Sequence, residues 1–158
     1  MLDKTIARLE KDGKLRKQPA GLVQVEALLR EALLDLGEAK KITHLASRAT
    51  YLLAYIAMLK AGRALLLLKG YVPDDGAQHK TVVDVTSIIL GEKYLNLTRQ
   101  FETMRRKRNE LTYEAGVLLS KSESEKAFLD SIALIKKILS EVKSQNPQLE
   151  LKFDLDME

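Results

Sequence analysis

The sequence predicts an all-α protein, an up-and-down helical bundle with an additional short helix at its N-terminus. Three observations carry that expectation. Apolar residues recur at helical spacing through successive segments of the chain. Pro occurs only at positions 19, 73 and 147, each where a periodic stretch stops. Strand-like alternation is missing until the last dozen or so residues. A length of 158 residues suits one core, and 46% hydrophobic with 30% charged residues is too apolar for a disordered chain.

Residues 2–17 read as a short, highly charged helix ended by "QPAG" at 18–21. From Leu22 to Ile42, the residues Leu22, Val25, Leu28, Leu29, Leu33, Leu36 and Ile42 follow helical spacing. Residues 45–69 form a second long helix, apolar around most of its girth, which belongs at the centre of the packing. Lys60 and Arg63 divide its richest stretch, 49–70, into runs shorter than the roughly 20 residues of a membrane span. A buried helix and no membrane partner are therefore expected.

"GYVPDDG", residues 70–76, reads as a turn, followed by a third helix over 77–90 that ends at Gly91. A fourth covers 92–115 and is closed by Gly116. Ser122 with Glu125 has N-cap spacing for a fifth helix over 125–143, whose Phe128, Ile132, Ile135 and Leu139 share a face. In the tail, Leu149, Leu151, Phe153, Leu155 and Met157 alternate with other residues, mostly charged. Such a segment is either an unstructured terminus or an edge strand for a second subunit or another protein. The expected organisation is a charged N-terminal helix over 1–18, a helical bundle over 19–146 and an acidic tail over 147–158.

Composition narrows the chemistry. With no Cys, disulfides and thiolate catalysis are excluded. His44 and His79 are the only histidines and lie far apart in the chain, so no metal and no cofactor is expected. Asp3, Lys4 and Arg8 interrupt any apolar leader, and a cytoplasmic location is expected. Residues 146–158 hold Lys152 against Glu150, Asp154, Asp156 and Glu158, a net of −3. The remainder has 25 basic and 18 acidic residues, or +7, and attracts polyanions in general.

The stretch "MRRKRNELTYEAG", residues 104–116, concentrates the candidates. On a helical wheel centred on Arg108, the residues Leu97, Phe101, Met104, Leu111 and Ala115 fall within about 60°. Arg108 thus sits in the core-facing stripe, where a guanidinium needs a partner, a wet cleft or both. Thr112, Arg105, Asn109, Glu102 and Tyr113 line the neighbouring sector, a polar strip able to bind anions. Arg106 and Lys107 point to solvent. The plain structural alternative pairs Arg108 with a carboxylate from another helix and lets Asn109 and Tyr113 satisfy each other or a backbone group. His79, after "DDGAQ", either hydrogen-bonds its own turn or reaches the Arg108 cleft as an auxiliary group. His44 reads as a cap or surface residue, and Tyr51 and Tyr55 as packing.

"AYIAMLKAGRALLLLKGYVP", residues 54–73, resembles a helix of the HEPN family, the nucleotide-binding domains of higher eukaryotes and prokaryotes. His79 falls near where many members carry a His after the Gly-Tyr-x-Pro turn, and "RRKRNELTY" resembles the family's later signature helix. The resemblance spans residues 22–142 or so. It implies an all-helical homodimer whose signature helices frame a cleft. In the ribonuclease branch an Arg holds the phosphate, and a His beyond four to six intervening residues helps the ribose 2′-hydroxyl attack it without a metal. Here Arg108 matches the Arg, Asn109 the polar residue after it, and Tyr113 stands where the His is expected.

A phenol with a pKa near 10 is a poor proton shuttle at neutral pH. Arg108 and Tyr113 are the candidate catalytic pair, and Arg105, Arg108, Asn109, Glu102 and Tyr113 the candidate nucleotide- or anion-binding set. The expected function is a nucleotide- or RNA-binding module, catalytically weak or inactive, within a toxin–antitoxin or defence system. The alternatives are a helical interaction protein that recruits a partner through its 147–158 tail, and a metal-independent endoribonuclease with a variant site.

Overall fold

The computed structural model describes residues 2–19, 21–74, 78–149 and 151. In order along the chain come α1 (Leu2–Lys11), β1 (Leu15–Lys17), α2 (Leu22–Ile42), α3 (Ser47–Leu68), β2 (Tyr71–Pro73), α4 (Gln78–Leu90), a 3₁₀ turn at Glu92–Tyr94, α5 (Leu95–Tyr113) and α6 (Lys121–Gln145). The class is all-α with one small ribbon.

Helix α3 is the hub, packing against α2, α4, α5 and α6. Its girth explains this: Ala54, Tyr55, Ala57, Met58, Ala61, Ala64, Leu65 and Leu66 point in several directions and all are fully buried. By length and composition α3 could cross a membrane, but 67% of its most apolar window is buried against the other helices. Its two interrupting cations lie at the rim. Lys60 donates to Asp35 of α2 at 2.7 Å, and Arg63 to Gln78 of α4 at 3.1 Å. Around α3, α2 touches α6, α6 touches α5, and α5 touches α4.

The N-terminal helix is shorter than its sequence suggests. It stops at Lys11, and Gly13 at φ +73° turns the chain into β1. β1 pairs antiparallel with β2, Leu15 opposite Pro73 and Lys17 opposite Tyr71. The "GYVP" stretch is therefore half of a ribbon as well as a turn, extended by Gln18 N–H to Gly70 O and Asp74 N–H to Lys14 O. Leu15 is buried and Arg16 pairs with Asp74 at 3.3 Å, so this ribbon is held by side chains too.

Two helix ends also move. "SKSESE" holds two overlapping Ser-x-x-Glu frames, and the chain uses the earlier one. Ser120 accepts from the Glu123 N–H at 2.9 Å while Glu123 accepts from the Ser120 N–H at 3.2 Å. Starting there buries Ser124, which donates to Ser47 O at 2.9 Å and joins α6 to the start of α3. Helix α5 begins after the 3₁₀ turn and ends at Tyr113, because Glu114 is already extended. In the tail, Leu149 and Leu151 are buried in the chain's own core. Position 150 and residues 152–158 lie outside the described residues.

Candidate functional site

The stripe on α5 ends sooner than the wheel implies. Thr98, Phe101 and Met104 are buried, Arg108 and Leu111 half-buried, and Ala115 lies exposed beyond the helix. Arg108 thus occupies the edge of the core. No carboxylate pairs with it among the described residues; its Nη1 donates to Asn109 Oδ1 at 3.2 Å. Asn109 is accordingly engaged by Arg108 and not by Tyr113. Thr112 donates to the Arg108 carbonyl at 2.8 Å, a bond inside its own helix.

Arg105 and Glu102 form a two-pronged ion pair, Nε to Oε1 at 2.6 Å and Nη2 to Oε2 at 3.1 Å. These bonds hold the Glu102 carboxyl below its ordinary range and raise Arg105. Arg106 reaches the same carboxylate at 3.1 Å with most of its side chain in water. Lys107, expected in solvent, folds back instead. Its Nζ donates to Leu118 O at 2.6 Å and lies 3.6 Å from Glu123, fastening the 114–120 connection to α5. Tyr113 is 78% exposed and makes no hydrogen bond among the described residues, so within one chain it stands apart from the arginines. Its position at the last turn of α5, five residues after Arg108, rotates it about 140° away.

His79 does join them. It lies in the first turn of α4, half-buried, with Nδ1 2.9 Å from the Tyr55 hydroxyl of α3. The two rings sit 5.8 Å apart, and Phe101 of α5 lies 5.9 Å from Tyr55 on a further contact. Burial, and then the positive fields of Arg108, Arg63 and Arg105, hold the imidazole below its ordinary value. The same burial pushes the Tyr55 phenol well above its ordinary value, against the pull of Arg105 and Arg108. Neither group is charged near neutral pH.

The hydrogen bond also fixes the imidazole's tautomer. Tyr55 is fully buried and its hydroxyl has His79 Nδ1 as its one partner among the described residues. A buried phenol proton without an acceptor costs about 1–3 kcal/mol. The phenol therefore donates, Nδ1 accepts, and the ring proton resides on Nε2. The result is an Nε2–H donor on α4 within the fields of three guanidinium groups from α3 and α5.

Arg63 and Tyr55 were not legible as site residues. The signal for Arg63 was present, since a cation in an otherwise apolar helix needs a reason; it reads most simply as a bar to membrane insertion. His44 is exposed in the α2–α3 connection, and Tyr51 is buried within the chain, its phenol raised by burial and by Glu123 and Glu110.

Searches against protein-family models and against curated proteins find no match for this chain. Fold and site together define a helical protein with a cationic, donor-rich cluster where its hub helix meets α4 and α5.

Proposed function

We propose that the protein is a HEPN-like module that binds a nucleotide or RNA through phosphate and does not cut it. The observation that carries the reading is a His79 reached by the positive fields of Arg63, Arg105 and Arg108 and with its acceptor nitrogen taken by Tyr55, while Arg63 itself bonds Gln78 next to it. Guanidinium groups and an Nε2–H suit phosphoryl oxygens. Attack by a ribose 2′-hydroxyl needs a group that accepts its proton, and this cluster offers donors. The family resemblance adds support because its two stretches fall on α3 and α5, which pack together. A homodimer framing the cleft belongs to the same reading, with Tyr113 exposed at the end of α5 to meet a second copy. So does a place in a toxin–antitoxin or defence system. A recruiting tail draws less support, since Leu149 and Leu151 bury in their own core.

The test is incubation with mixed RNA in EDTA, read for both binding and cleavage. Wild type is expected to hold RNA intact, with affinity falling steeply with salt and about tenfold or more in Arg108→Ala. Tyr113→His, which installs the signature imidazole, is the companion variant; Arg108-dependent cleavage gained there supports the family reading. Arg108-dependent cleavage by wild type overturns the non-cutting reading.

A further inference from the structure

The charge in the cluster is unevenly compensated. Of the three guanidinium groups acting on His79, Arg105 alone has a carboxylate partner among the described residues, Glu102. Arg63 donates to the neutral Gln78 amide at 3.1 Å, and Arg108 to the neutral Asn109 amide at 3.2 Å. Arg106, which shares Glu102, is 72% exposed and screened by water. Lys80 and Asp84 of α4 also act on the Glu102–Arg105 pair, but they pair with each other at 3.4 Å and cancel. Arg63 and Arg108 therefore each present a full positive charge, steered by an amide that orients the fork without neutralising it. His79 adds an uncharged donor.

We infer that the site takes a phosphomonoester dianion, the terminal phosphate of a mononucleotide or of an RNA end, in preference to the singly charged phosphodiester of an RNA backbone. The inference rests on the anion-binding reading above and goes beyond it in naming the ligand group. A phosphomonoester above its second pKa of about 6 carries nearly two charges and three strong acceptor oxygens. Two planar forks and one Nε2–H match that set in charge and in the kind of donor. A phosphodiester brings one charge and two terminal oxygens, leaving one guanidinium uncompensated. Amide carbonyls are weaker acceptors than phosphate, so both forks can exchange onto the ligand.

The experiment uses one short RNA prepared with a 5′-hydroxyl, a 5′-phosphate or a 3′-phosphate end, alongside AMP and adenosine. Affinities are measured at low salt, well above the phosphate's second pKa of about 6. A phosphorylated end, or AMP over adenosine, is expected to bind about tenfold tighter or more. The excess should vanish in Arg63→Met and Arg108→Met and survive in part in Arg63→Lys, with far-ultraviolet circular dichroism reporting that each variant is folded. The wild-type comparison decides by itself if a Met variant does not fold. RNA-end preference without AMP binding, or the reverse, identifies the source of the phosphate and supports the inference either way. Equal affinity for hydroxyl and phosphate ends, both lost in Arg108→Met, overturns the dianion inference and leaves the anion-binding reading intact. No Arg108-dependent binding of any of these ligands overturns both.

Discussion

One shared proton governs the chemistry of Tyr55 and His79. Because the ring is half-buried, the phenol donates to Nδ1 and the positive fields of three arginines reach it, the folded protein resists protonating His79. The unfolded chain does not, and takes up that proton as pH falls through the ordinary value of 6.5. The contribution to stability is thus fully present above that value and is lost on acidification below it. Thermal unfolding of wild type should fall in Tm from about pH 7 to about pH 5.5, with a shallower slope in His79→Gln. An equal slope in both proteins would remove His79 from the account. Glu102, held low by Arg105, loses its contribution only at more acidic pH, below its ordinary 4.5, and so does not blur the window. At this scale the sequence was partly legible. Arg108, Arg105, Asn109 and Glu102 do share one flank of α5, as helical spacing requires. The Tyr55–His79 bond joins residues 24 positions apart, which no local pattern encodes.

Helix α4 approaches α3 closely because Gly62 lacks a side chain. A Cβ there would lie 2.7 Å from Val82 Cγ1 and 3.0 Å from Thr86 Oγ1, both on α4, and 3.6 Å from Phe101 of α5. Gly62→Ala should therefore destabilise by about 1–3 kcal/mol, outweighing the roughly 1 kcal/mol that Ala gains over Gly as a helix former. Gly37 of α2 meets nothing within 4 Å, and Gly37→Ala should stabilise by about 0.5–1 kcal/mol. Urea unfolding of the two variants reads the contrast; a stable Gly62→Ala would mean that α4 can shift without cost. Element identity was readable from hydrophobic period over α2, α3, α4, α5 and α6. The ribbon was not, because strands of three residues are too short to show a period. The start of α6 was ambiguous for a different reason: two Ser-x-x-Glu frames fit the local sequence equally, and burial of Ser124 against Ser47 chose between them.

Over the whole molecule, the N-terminal segment closes onto the route from α3 to α4. β1 pairs with β2 just after α3, and α1 packs on α4, with Ile6, Leu9 and Leu15 buried. Deleting residues 1–18 removes those three apolar side chains and the strand partner of residues 71–73. The remaining chain should keep its helices yet lose about 2–5 kcal/mol of stability, the burial of three side chains less the ordering of the segment. Anion affinity should fall with it, because α4 carries His79 and α1 braces α4. Circular dichroism melts and the RNA-binding measurement, run together on the truncated protein, check this. Unchanged affinity would show that the bundle alone fixes the cluster. The sequence anticipated an N-terminal helix set apart from the bundle; its docking depends on a pairing between positions more than 50 residues apart, beyond any motif.

The cluster draws Tyr55 and Arg63 from α3, His79 from α4, and Arg105 and Arg108 from α5. On the proposed anion-binding reading, no stretch of chain holds enough of it to capture a ligand alone, so affinity would exist only once all three helices have docked. Ligand occupancy would then be a census of correctly folded molecules. By mass action such a ligand would draw the population toward that state, so the proposed phosphate would report on folding as well as on binding.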